Sequence, residues 1–134
     1  TSVPGLKAKD VIDVQVTLND FDLIPHNLLE QNGFTKSPHE RDHCPPGLTL
    51  KDDELEKRLY KYSLRMANIH IRKKGTFNQN YPLLFRDFLR EHPMAANSYG
   101  EVKAQLAKYF PENFDAYYDI KDPVCDIIMA GAFS

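Results

Sequence analysis

Val11-Ile-Asp-Val-Gln-Val-Thr-Leu18 is the stretch on which the fold turns. Ile12, Val14, Val16 and Leu18 alternate with Asp13, Gln15 and Thr17. A period of two belongs to a strand with one core face, so the spacing places Asp13 and Gln15 together on the other face.

Downstream, Asn19 and Asp20 supply helix-cap chemistry, and Leu23, Ile24, Leu28 and Leu29 recur at helical spacing before Asn32-Gly33. These features predict a helix over 22–31 closed by a glycine cap. Residues 37–50, with Pro38, Pro45 and Pro46, show no period and read as an irregular loop. A hairpin follows, with arms Lys57 to Tyr62 and Ala67 to Lys73 around a turn at Ser63 to Arg65. In its second arm Ala67, Ile69 and Ile71 take one face and Asn68, His70 and Arg72 the other. If both strands bury their aliphatic sides, Asp13, Gln15, His70 and Arg72 converge on one cleft beside the turn Thr1 to Lys9.

The rest of the chain has helical spacing. Pro82 stands near the start of a helix with Leu84, Phe85, Phe88 and Leu89 facing inward, and Ala96, Tyr99, Val102, Leu106 and Phe110 follow at intervals of three and four until Pro111. A last segment runs from about Phe114 to Ala130, where Pro123 predicts a kink or two short helices. The aromatic residues Phe85, Phe88, Tyr99, Phe110 and Phe114 read as core rather than as a base-stacking platform. The sum is an α+β fold, a small mixed sheet with helices packed around it.

With 134 residues the chain has the length of one domain with a hydrophobic core. Its 42% apolar and 27% charged residues, without a bilayer-length apolar run, exclude a membrane-spanning class and argue against disorder. A net charge of −2 does not suit wholesale nucleic-acid or membrane binding. A local exception is Lys57 to Lys74, with seven basic residues and no acidic one, a field expected to attract an anionic ligand. Cys44 and Cys125 do not form a disulfide framework, which suits a reducing, cytoplasmic setting and leaves a single bridge open. His39, His43 and Cys44 lack a second pair at metal spacing, so a zinc site is set aside.

Thr1-Ser-Val-Pro-Gly-Leu-Lys-Ala-Lys-Asp-Val-Ile-Asp-Val resembles the hallmark of the GrpB-like proteins, usually Gly-Ser-Thr-Ser-Val-Pro-Gly-Leu, a lysine, then Ile-Asp before an apolar residue. Asn68-Ile-His-Ile, Leu84-Phe-Arg-Asp-Phe-Leu-Arg-Glu-His-Pro93 and the region Tyr117 to Lys121 are similar to later signatures of that family, in the same order. The resemblance implies a single GrpB-like domain over 1–134, with further residues expected upstream of Thr1. It also implies the nucleotidyltransferase fold of polymerase beta, in which a Gly-Ser turn holds nucleotide phosphates and the next strand carries metal-binding carboxylates. That chemistry uses a pair of divalent ions held by clustered carboxylates. Here Asp13 is followed at the alternate position by the neutral amide of Gln15, and the Gly-Ser pair would precede Thr1.

The expected site therefore has Asp13 and His70 as catalytic residues, Asp13 as ligand of a magnesium ion, and Thr1, Ser2, Gly5, Lys9, Arg58, Arg72 and Arg86 around a nucleotide or nucleotide-containing cofactor. Each has a plainer reading beside it. Asp13 could be a solvated or lysine-paired residue, His70 a hydrogen-bonded structural one, and Arg86 with Asp87 a local ion pair on a polar helix face. Two functions follow from the resemblance: transfer of a nucleotidyl group to an acceptor, or a non-catalytic binding or folding module, as in domains joined to dephospho-coenzyme A kinases.

Overall fold

A computed structural model describes Gly5 and residues 11–133. Two compact units divide the chain, one of Asp10–Tyr81 and one combining Thr1–Lys9 with Pro82–Ser134.

The first unit holds a four-stranded sheet in the order β1-β4-β3-β2, from β1 (Ile12–Leu18), β2 (Phe34–Lys36), β3 (Lys57–Tyr62) and β4 (Ala67–Lys73). β1 runs parallel to β4, and the other pairings are antiparallel, so the sheet is mixed. The hairpin β3-β4 has the bounds its alternation predicts. In the register, Asp13 lies beside Asn68, Gln15 beside His70 and Thr17 beside Arg72, and Leu59 stands opposite His70. Paired residues share a face, so one face carries Asp13, Gln15, Asn68, His70 and Arg72 together with Lys57, Leu59 and Lys61. The other carries Ile69 and Ile71 together with Arg58 and Tyr60.

Three elements differ from the expectations. The helix predicted over 22–31 is broken: Phe21–Leu23 is a single 3-10 turn, and α1 covers only His26–Gln31. Pro25 is the reason, because its ring drives the preceding Ile24 to an extended conformation (φ −68°, ψ 124°). β2 has no counterpart in the sequence reading, since three residues are too few to display a period. Finally, Ile12, Val14 and Val16 are exposed rather than core. β1 lies at the sheet edge, while the segments covering its apolar side stand over β3 and the end of β4. Phe21 lies against Arg58 and Lys73, and His26 Nδ1 is 2.8 Å from the Tyr60 hydroxyl. The core of this unit is Leu55, Leu59, Tyr60 and Ile71.

α2 (Phe77–Glu91) begins in this unit, five residues ahead of Pro82, with Glu54 Oε2 accepting from the Phe77 amide at 2.7 Å. In the second unit α2 continues from Pro82, followed by α3 (Pro93–Tyr109) and α4 (Phe114–Ala132). Leu89, Ala96, Tyr99, Leu106, Tyr117, Cys125 and Met129 are buried there. Cys125 Sγ donates to the Tyr99 hydroxyl at 3.6 Å, and burial pushes both groups' pKa values up. Both cysteines are free thiols.

α4 is one helix of 19 residues with Pro123 inside it, not two short ones. A proline deletes one backbone bond and keeps a helical φ, and the burial of Tyr117, Cys125 and Met129 on either side outweighs that loss. Leu84 and Phe114, expected to face inward, are exposed. Phe114 is the first residue of α4, where a side chain has the helix on one side only.

Candidate functional site

The polar face of the sheet is built in two tiers. At the exposed tier, Asp13 Oδ1 accepts from Asn68 Nδ2 at 3.0 Å and lies 3.2 Å from His70 Nε2. The Asp13 side chain is 57% exposed, and that of His70 23%. His70 Nδ1 is buried and has no hydrogen-bond partner. The ring thus directs one nitrogen at Asp13 and keeps the other buried. Lys61, in register with Asn68, adds an exposed cation to this tier.

The deeper tier starts two residues further along each strand, at Gln15 and Arg72. Arg72 Nη1 donates to Gln15 Oε1 at 2.7 Å, and Gln15 Nε2 donates to the carbonyl of Gln79 at 3.1 Å. Arg72 Nε and Nη2 each donate at 2.9 Å to the two oxygens of Asp42, a bidentate pair. Lys57 Nζ stands 2.9 Å from the same carboxylate, and Asn78 Nδ2 donates to it at 2.8 Å. Burial would raise the Asp42 pKa, but hydrogen bonding and charge from Arg72, with the charge of Lys57, outweigh it and hold the carboxyl far below the usual range. Gln79 Nε2 reaches Thr17 Oγ1 at 3.4 Å, completing a network that ties β1, β4, the loop and the first turn of α2.

Of the residues singled out in the sequence, Asp13, His70 and Arg72 come together on this face. Arg58 stands on the opposite face, paired with Glu40 at 3.4 Å and Glu56 at 3.2 Å, its guanidinium 4.4 Å from the Phe21 ring centroid. Arg86 pairs with Asp87 at 2.9 Å in the second unit. Gly5 has φ 75°, a left-handed turn conformation that glycine takes without strain. Thr1, Ser2 and Lys9, and with them the cleft expected beside that turn, lie outside the described residues. The basic run Lys57 to Lys74 is also less of a field than its sequence suggests. Lys57, Arg58 and Arg72 are matched by Asp42, Glu40 and Glu56, acids that lie outside the run or on another element.

Sequence reasoning missed Asp42, Asn78 and Gln79. Asp42 sits in an aperiodic loop, 30 residues from Arg72, and no local spacing marks it. The donor set also bears on the expected magnesium ion. Among the described residues no three His, Cys, Asp or Glu side chains stand together as a metal group. Gln15 turns its oxygen to Arg72, and Asp42 is taken up by Arg72, Lys57 and Asn78. These residues do not fit a two-ion centre.

Comparisons with known proteins show what the chain is similar to. The family model described as GrpB protein matches residues 1–130. A UPF0157 protein of Pseudomonas aeruginosa is 44% identical over 144 positions, covering 100% of this chain and 53% of the relative. A second, from Halalkalibacterium halodurans, is 32% identical, covering 98% of this chain and 63% of the relative. A dephospho-CoA kinase of Mycolicibacterium paratuberculosis is 30% identical over 92% of this chain, which corresponds to 34% of that protein. The chain thus spans between a third and two thirds of these relatives' lengths. Among solved structures, the crystal structure of conserved protein GrpB from Enterococcus faecalis matches with a TM-score of 0.66 and 26% identity, over 99% of this chain and 78% of that one. Among the described residues no helix is long and apolar enough to cross a membrane.

Proposed function

The chain belongs to the GrpB family, and from that premise we propose that it is a binding module for a nucleotide or a nucleotide-containing cofactor, carrying no transfer step of its own. The observation that carries this reading is the exposed tier of the polar face. One half-exposed carboxylate, Asp13, is positioned there by Asn68 and His70 on a strand pair stiffened by the Arg72–Asp42 network. A single carboxylate suits recognition of ligand O–H and N–H groups, such as ribose hydroxyls, and Lys61 on the same face meets phosphate charge.

Two further points support it. The resemblance to nucleotidyltransferases concerns a fold whose sheet face holds nucleotides. The similar dephospho-CoA kinase is a protein of which this chain matches about a third, as expected of a module. Nucleotidyl transfer would need a second carboxylate where Gln15 stands, with its oxygen directed to Arg72.

The test is calorimetry of the full protein with ATP, coenzyme A and dephospho-coenzyme A, each with and without magnesium. We expect one of these to bind independently of magnesium, and Asp13→Asn to weaken it about tenfold or more, the worth of one charge-assisted hydrogen bond of about 1.5–3 kcal/mol. Binding seen only with magnesium, or an Asp13→Asn variant that binds like the parent, would overturn the reading.

A further inference from the structure

The loop 37–50 sends one carboxylate onto the polar face, where it meets more positive charge than it can balance. Arg72 and Lys57, whose side chains are 10% and 12% exposed, both converge on Asp42, which is 17% exposed. The remaining contact of Arg72 is the neutral amide of Gln15. Two cations against one anion leave a net positive charge in a place largely shielded from water, where imbalance is costly. Four N–H donors, two from a planar guanidinium, one from an ammonium and one from the Asn78 amide, surround the two Asp42 oxygens. Guanidinium, ammonium and amide N–H groups are donors to phosphate as well as to carboxylate, and the second charge of a phosphate removes the imbalance.

We infer that Arg72, Lys57 and Asn78 form an anion site for which Asp42 is the resident stand-in, and that a phosphate group takes the site when the Asp42 side chain rotates out. The backbone permits this exchange. Asp42 N donates to the Leu55 carbonyl and Lys57 N to the Glu40 carbonyl, both at 2.9 Å, so the chain around residue 42 is anchored independently of its carboxylate. Rotation about the Asp42 side-chain bonds leaves those anchors intact. The identity of the incoming group as part of a larger ligand rests on the function proposed above; the site itself does not.

The test is calorimetry and thermal unfolding of the full protein with inorganic phosphate, against chloride at equal ionic strength. Asp42→Ala is expected to bind phosphate at least tenfold more tightly than the parent, and Arg72→Gln added to it to abolish the gain. Asp42→Asn, which keeps the side-chain shape and removes its charge, should gain in the same direction and keeps the test open if the alanine variant folds poorly. Phosphate binding no tighter than the parent's in both Asp42 variants, or a gain that survives Arg72→Gln, overturns the inference. Failure of nucleotide binding through Asp13 leaves these results unchanged, so the two readings fall separately. The source of the phosphate is read from the parent protein. A preference for coenzyme A over dephospho-coenzyme A, lost on Arg72→Gln, assigns it to a ligand's phosphate monoester, whereas the phosphate gain without that preference assigns it to the free ion.

Discussion

Replacing Asp42 by asparagine removes one charge from the network and very little volume. The bidentate pair with Arg72, the Lys57 contact at 2.9 Å and the Asn78 bond all lose their anionic acceptor. Breaking a buried pair by neutralising one partner typically costs about 3–5 kcal/mol. The partial exposure of this site and the freedom of Lys57 to turn toward water place the expected loss at or just below the bottom of that range, about 2–3 kcal/mol. Urea unfolding at about neutral pH measures it as a fall in midpoint at unchanged slope. The pH dependence adds a sign. The carboxyl of Asp42 titrates lower in the folded state than in the unfolded chain, so its contribution is complete above the unfolded value of about 4 and fades as pH falls through the acid range below it. The gap between parent and variant should therefore be widest near neutrality and narrow in acid. A loss below about 0.5 kcal/mol, within the range of ordinary surface substitutions, or a gap that stays constant into acid, would refute the account of the network.

Two local features lend themselves to similar measurement. Gly33 has φ 89°, and a Cβ there would stand 3.2 Å from Tyr62 Cε1 and 3.3 Å from Ser63 Oγ; Gly33→Ala should cost about 1–3 kcal/mol in chemical unfolding, and a neutral variant would mean that the turn relaxes. Asn113 caps α4, its side-chain oxygen accepting from the Ala116 amide at 3.0 Å; Asn113→Ala should lower stability by about 1 kcal/mol, whereas Asn113→Asp should retain it.

Alternation and turn chemistry are local properties, and they carried the parts of this protein that local forces control. The period of two in Ile12–Leu18 and Ala67–Lys73 marked β1 and β4 and aligned Asp13, Gln15, Asn68, His70 and Arg72 on one face, because a pleated backbone must alternate its side chains. Gly33 marked the end of α1 for the same kind of reason. Where two local signals competed, tertiary context decided. Pro25 broke a helix that the leucine spacing favoured, whereas at Pro123, where a kink or two short helices were expected, packing on both sides kept α4 a single helix.

Tertiary structure alone decided the electrostatics. Three of the seven cations in Lys57 to Lys74, namely Lys57, Arg58 and Arg72, found acidic partners once the fold brought Glu40, Asp42 and Glu56 to them. Arg58 and Arg72, both drawn to one ligand by sequence reading, were sent to opposite faces by the parity of the β3-β4 register. Charge acts through space over several ångströms, without regard to distance along the chain. No spacing in the sequence joins Asp42 to Arg72 and Asn78, residues that meet only because the sheet, the loop and the first turn of α2 fold against one another.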